Sequence, residues 1–247
     1  MNLSDVTAVI LTKNEERRLP RTLASLPAAM PVLILDAESS DRTQSIAREY
    51  GARLLVRAWS DFVDARRFAL SQVTTPWAFV VDADEVLDES LRAAIADARE
   101  DLEGYLVRRD TSFGGRPLRM WSGERLLRCF RVDAVRVEGF PTAGGSAALH
   151  ERYLCDGTIS ELAGVLQHDS YADAAEYRQK FARYTEIEAR GLPRSFSRAV
   201  RESLLVAWRL AKFGVARGAL LDGPRGWYVM WWSALYPAVV AWRAWLA

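Results

Sequence analysis

Four short apolar runs, at residues 6–11, 32–35, 53–56 and 77–81, alternate with amphipathic stretches at 17–26, 41–50, 62–72 and 89–99. The runs are rich in Val, Ile and Leu, and their length suits strands buried on both faces. Alternation of this kind builds a doubly wound, mostly parallel α/β sheet, because a parallel partner strand needs a crossover and a helix supplies it. In such a sheet ligands sit outside the carboxyl ends of the strands. Chemistry is therefore expected where each apolar run stops.

The fourth run stops in Phe79-Val80-Val81-Asp82-Ala83-Asp84-Glu85. Alternation on an extended backbone puts Asp82 and Asp84 on the same side, with Ala83 pointing away. Two like charges so close call for a cation, and hard oxygen ligands suit Mg²⁺ or Mn²⁺ carrying a diphosphate. The plainer reading is a solvated strand end leading into a helix N-terminus, where the macrodipole favours acids. The first run stops in Leu11-Thr12-Lys13-Asn14-Glu15-Glu16, polar groups suited to a base or ribose, or to a capping turn. The second stops at Asp36, whose carboxylate accepts but never donates and so suits a ribose hydroxyl or a uracil N–H. Ser40-Asp41 is expected to cap the second helix, with Gly51 just past its end. The third helix carries Arg66-Arg67, and a guanidinium fork there can reach a phosphate.

At 247 residues, half of them hydrophobic and 26% charged, the chain can bury a sizeable core. Between residues 104 and 167 the pattern changes to short strands broken by Gly114-Gly115 and Gly144-Gly145, an antiparallel extension with mobile loops. Beyond Ser170 it becomes helical, at 172–190, 196–213 and 225–246. The expected organisation is a domain over 1–190 and a helical extension over 191–247.

The net charge of +1 conceals an asymmetry. From Arg190 onward there are nine basic and two acidic residues; taken from totals of 33 and 32, this leaves 24 basic and 30 acidic before it. The same tail holds six of the nine tryptophans. Residues 226–242 carry no charge, lie between Arg225 and Arg243, and contain Pro237; 17 residues is at the lower limit for spanning a bilayer. Trp227, Trp231 and Leu235 fall at four-residue spacing. The expectation is an interfacial helix on a membrane surface, against the alternative of a helix that completes the core or a dimer interface. Cys129 and Cys155 form no CxxC pair, which fits a reducing compartment. With no basic and apolar leader at the start, the expected location is cytoplasmic, peripheral on the inner face of the membrane. No nucleic-acid partner is expected.

Taken in order, Thr12-Lys13-Asn14-Glu15-Glu16, Asp36-x-x-Ser39-x-Asp41-x-Thr43, the Ala65-Arg66 helix and Asp82-Ala83-Asp84-Glu85 resemble glycosyltransferase family 2. Within it the chain is most similar to the lipopolysaccharide-core β-1,4-glucosyltransferase branch. The resemblance is strongest over residues 6–100. It extends to His150-Glu151, His168-Asp169-Ser170-Tyr171 and Leu221-Asp222-Gly223-Pro224-Arg225-Gly226. It implies a GT-A fold and an inverting, metal-dependent transfer of one hexose, glucose from UDP-glucose, to a lipopolysaccharide-core or lipid-linked glycan acceptor. Residue by residue, it implies that Thr12, Glu15 and Asp36 line the nucleoside pocket and that Arg66 touches the nucleotide or its diphosphate. Asp82 would contact ribose or donor sugar, and Asp84 would hold Mg²⁺ or Mn²⁺ on the diphosphate with His168 as a late ligand. Glu151 would be the base that takes the acceptor's proton, with Asp169 in reserve.

Three departures from the family pattern stand out. Glu38 adds a charge where small residues are usual, and the Glu-Asp pair that many relatives use as base is missing. The Gln-x-x-Arg-Trp signature of processive synthases is also absent, which favours addition of a single sugar. The alternatives are a nucleotidyltransferase, although Thr12–Arg18 holds no glycine for a phosphate loop, and an inactive sugar-nucleotide binder attached to a membrane.

Overall fold

The computed structural model describes residues 1–139 and 151–247. Strands β1 (Val6–Thr12), β2 (Val32–Asp36), β3 (Arg53–Val56) and β4 (Trp77–Val80) lie parallel in the order β3-β2-β1-β4. Helices α1 (Leu19–Ser25), α2 (Thr43–Glu49) and α3 (Phe62–Ser71) make the crossovers. The register sets Thr12 opposite Asp36 and Asp36 opposite Val56, so these strands end level with one another.

Alternation divides the buried side chains between two faces. Val6, Ala8, Ile10, Ile34 and Phe79 pack on one side with Leu19 and Leu23 of α1. Val9, Leu35, Ala78 and Val80 pack on the other with Ala65, Ala69 and Leu70 of α3. Helix starts follow local chemistry. Asp61 caps α3 by accepting from the Asp64 N–H at 2.8 Å. Asp41 stands just ahead of α2 and accepts from the Thr43 N–H at 2.9 Å. Gly51 follows the end of α2 with φ +73°.

Beyond β4 the sheet turns antiparallel and the complete order is β3-β2-β1-β4-β8-β6-β11-β5. Here β5 is Glu85–Leu87, β6 Gly104–Phe113, β8 Glu124–Arg131 and β11 Ile159–Tyr171. A short β7 (Arg116–Pro117) pairs with β6. Strands β9 (Val135–Gly139) and β10 (Glu151–Cys155) form a separate ribbon. The sheet is thus mixed, parallel through β4 and antiparallel after it. Helix α4 (Glu89–Ala96) follows β5, with Asp88 accepting from the Leu91 N–H at 2.8 Å.

Contacts divide the chain into two compact units. The first comprises Met1–Asp110, Glu124–Glu138 and Glu151–His168; the second includes Thr111–Gly123 and Asp169–Ala247. In the second, α5 (Ala174–Arg190) and α7 (Gly223–Leu246) gather with Phe113, Leu118 and Met120, and α6 (Phe196–Ala211) packs on α7. Tyr236 donates to Glu188 at 2.9 Å, and the Trp242 indole N–H donates to Ser203 at 2.9 Å. No helix among the described residues is long and apolar enough to cross a membrane.

Candidate active site

The loops that leave β1 and β2 are fastened to each other. Asp36 has no exposed surface, and its two carboxylate oxygens accept four hydrogen bonds. Thr12 donates at 2.8 Å, Ser39 gives its N–H at 2.8 Å and its hydroxyl at 2.6 Å, and Gln44 gives its amide at 2.8 Å. Lys13 reaches across to the carbonyls of Ala37 and Glu38, at 2.6 and 2.7 Å. Asn14 accepts from the Ser40 N–H at 2.9 Å, and the Glu15 N–H donates to the Thr43 hydroxyl at 2.8 Å. Asp36 therefore organises its own loop, and a ligand reaches it only where Ser39 or Gln44 gives way. Thr12 is likewise turned to Asp36, while the Glu15 carboxylate lies 3.9 Å from Arg18. Glu38 takes a left-handed backbone, φ +57°, and is exposed to solvent.

The acidic segment departs from the extended geometry expected for it. Strand β4 stops at Val80, and the Glu85 N–H donates to the Asp82 carbonyl at 3.0 Å, which closes a turn over 82–85. Side-chain alternation does not apply in a turn, so Asp82 and Asp84 have separate partners. Asp82 pairs with Arg66 of α3 and, at 3.0 Å, with Arg128 of β8. The cation that offsets its charge is a pair of guanidiniums. Arg66 is itself buried and engaged with this carboxylate.

Glu85 locks the turn from inside. Its carboxylate accepts from the Asp82 N–H at 2.9 Å and from Arg128 at 2.8 Å, with Arg109 of β6 at 3.5 Å. Arg109 also donates to Glu124 at 2.6 Å. Burial by itself raises the pKa of Asp82; the charges of Arg128 and then Arg66 outweigh it and hold the carboxyl far below the usual range. Burial lowers that of Arg128, but Glu85 and Asp82 lift it above its ordinary value.

Asp84 takes the other direction. Its Oδ2 lies 3.3 Å from Nε2 of His168, and the two side chains keep 16% and 17% of their surface exposed. The antiparallel register of β11 on β5 sets His168 opposite Glu85, which delivers the imidazole to this turn. Burial lowers the pKa of His168, yet the hydrogen bond and charge of Asp84, with the charge of Glu85, raise it on balance. Of the expected residues, the structure thus brings together Arg66 with Asp82, Asp84 with His168, and Thr12 with Asp36. Glu151 begins β10, but its side chain lies outside the described residues, as does His150. Asp169 belongs to the second unit, where it accepts from the Ser112 hydroxyl at 3.1 Å.

The sequence pattern gives no role to Arg128 or Gln44, and none to Glu85 beyond its place in the acidic motif. One signal for Arg128 was available: it interrupts the apolar run Leu126-Leu127-Arg128-Cys129-Phe130, where only a paired charge is tolerated.

A parallel β3-β2-β1-β4 half with polar and charged groups gathered where its strands end defines a doubly wound α/β protein whose ligand crevice lies at the carboxyl ends of those strands. The chain belongs to glycosyltransferase family 2: the family model described as glycosyl transferase family 2 matches residues 7–156. An uncharacterized glycosyltransferase of Rickettsia typhi is 26% identical over 233 residues, covering 87% of this chain and 78% of that protein. The lipopolysaccharide core biosynthesis glycosyltransferase LpsC of Rhizobium meliloti is 31% identical over 112 residues, and the match spans 42% of each chain. Among solved structures, the mannosyltransferase PcManGT of Pyrobaculum calidifontis superposes with a TM-score of 0.51 at 15% identity, covering 97% of this chain and 86% of that one. The fold is GT-A, with a C-terminal helical extension.

Proposed function

We propose that this chain transfers a single hexose, with inversion, from a nucleotide sugar to a lipopolysaccharide-core or lipid-linked glycan acceptor. The observation that carries the reading is the pairing of Asp84 with His168 beside a carboxylate, Asp82, already neutralised by Arg66 and Arg128. Asp84 and His168, both partly exposed, would offer one oxygen and one nitrogen donor to a cation that takes the place of the proton between them. Among the described residues no three acidic, histidine or cysteine side chains converge on one point. The donor set fits Mg²⁺ or Mn²⁺, which take one or two protein ligands and complete their shell with water and substrate phosphates. Asp84 and His168 would hold the ion. With it bound, the negative charge that develops on the leaving diphosphate is stabilised without a proton transfer.

The chain's own residues supply the rest. Arg66 and Arg128 fix Asp82, so its carboxylate can orient a ribose or sugar hydroxyl without adding net charge beside a diphosphate. Thr12, Glu15 and Asp36 form the nucleoside end, with Ser39 or Gln44 yielding to the ligand. Glu151 takes the proton from the acceptor hydroxyl, and Asp169 is the alternative base. UDP-glucose is the proposed donor. The role that LpsC's name states in lipopolysaccharide core biosynthesis, and the GDP-Man and Mn²⁺ in the PcManGT complex, support the acceptor and donor classes.

A thermal-shift panel of UDP-, GDP- and dTDP-sugars, with and without Mn²⁺, tests the reading. One nucleotide sugar should stabilise the protein only with the ion, and Asp84→Ala should abolish the effect. Donor hydrolysis and transfer should then fall in Glu151→Gln if that residue is the base, or in Asp169→Asn if the alternative holds. Binding of a donor with no turnover under any condition would leave only a sugar-nucleotide binder.

A further inference from the structure

We propose that the outward face of α6 and the turn after it form a docking surface for an anionic lipid membrane. The inference does not depend on the transferase reading. The sequence points to α7 as the membrane element, but the structure buries much of that helix, including Val229, Ala234, Val240 and Ala244. Its Trp227 and Trp231 stay 58% and 50% exposed, and a further exposed apolar row belongs to α6.

Val200, Leu204 and Trp208 follow one another at four-residue spacing and so share a side of α6. Leu204 is 75% exposed and Trp208 58%; Val215, in the π-helical turn Lys212–Ala216, is 76% exposed. Ala199 and Glu202 occupy the covered side. This inverts the usual arrangement for a surface helix, in which apolar residues face the core. The carboxylate is inside, paired with Arg201 and Arg209, and the leucine and indole are outside. A contiguous outward apolar row is the mark of an interaction surface rather than of scattered exposure.

Charge selects the partner. Glu202 and Asp222 are the two acidic residues of the chain after Arg190, and both are neutralised internally, Asp222 by Arg119. Arg198, Lys212 and Arg217 have no carboxylate within ion-pair distance among the described residues. The face therefore presents apolar groups edged by unneutralised cations. A second copy docked through the same face would bring the same cations against one another, whereas anionic headgroups complement them. The Lys212 ammonium lies 4.9 Å from the Trp208 ring, an indole and cation side by side as at the headgroup layer. With 16 residues, α6 is about 24 Å long, short of the hydrocarbon core, so it lies in the interface.

Flotation of the full chain with vesicles tests this. The protein should rise with phosphatidylcholine–phosphatidylglycerol vesicles, far less with phosphatidylcholine alone, and be released by salt. Leu204→Glu/Trp208→Glu should weaken binding at least about tenfold with an unchanged melting temperature, since both side chains are exposed. Arg198→Gln/Lys212→Gln, which leaves the apolar row intact, should remove the preference for anionic vesicles. Failure of the wild type to float, or equal flotation of the Leu204→Glu/Trp208→Glu variant, overturns the proposal. So does a wild-type dimer in sedimentation that this variant converts to monomer, because the face would then serve self-association.

Discussion

Arg128 lies 3.0 Å from Asp82 and 2.8 Å from Glu85, so one guanidinium from β8 ties together both ends of the acidic turn. Removing it leaves Asp82 to Arg66 alone and the fully buried Glu85 with only Arg109, at 3.5 Å, as a cation. Arg128→Met should therefore lower unfolding free energy by about 3–5 kcal/mol in urea titrations. Arg128→Lys should recover only part of it, because one ammonium cannot reproduce the fork. A loss below about 1 kcal/mol in Arg128→Met would show that the pair does not hold the turn.

His168→Ala removes the partner of Asp84 while leaving the buried arginine network in place. The Mn²⁺ concentration for half-maximal donor turnover should rise about tenfold or more. Melting temperature without metal should change little. An unchanged metal requirement would take His168 out of the cation site.

Gly164 of β11 has φ +96°, and a Cβ there would lie 2.3 Å from the Leu91 N and 2.6 Å from the capping oxygen of Asp88. Neither atom is free to move, since both belong to the start of α4. Gly164→Ala combines backbone strain with this overlap and should destabilise by about 2 kcal/mol or more in thermal or chemical unfolding.

Glu202 supplies a pH dependence. Burial raises its pKa, but hydrogen bonds from Arg201 and Arg209 outweigh this and hold it below the ordinary 4.5. A depressed folded-state pKa gives stability that is present above the unfolded value and is lost as pH falls through the folded one. Wild type should exceed Glu202→Gln by about 2 kcal/mol at neutral pH. Melting curves of the two proteins should converge as pH drops below 4.5.

Both cysteines are free thiols, and they differ in reach. Burial pushes Cys129 up to about 12, whereas Cys155 is only half-buried, its thiol raised by burial and by the charges of Glu103 and Asp156. A thiol-alkylating reagent followed by mass spectrometry should label Cys155 first in the native protein. Cys129 should react only on unfolding.

The parallel half of the fold was legible in the residues. Val, Ile and Leu runs of strand length alternate with helices, and the first four strands lie within a residue or two of where that pattern puts them. Such periodicities reflect local burial, which each segment carries in its own composition. Strand β5 was hidden because three residues, Glu85–Leu87, are too short to show a period. Thr12 and Asp36 stand at strand ends, as topology requires, whereas Asp82 and Asp84 lie in the turn after β4, where alternation along a strand does not hold.

What the sequence determined by itself was the parallel half of the sheet, the ends of its strands and the family, because these follow from hydrophobic period and from motifs contiguous along the chain. Tertiary structure alone decided the partners: that Asp82 is answered by Arg66 and Arg128, that Asp84 meets His168, and that α6 turns its apolar side outward. Ion pairs and exposed faces depend on which distant segments are brought together and on what remains uncovered afterward. Spacing along the chain carries no record of either.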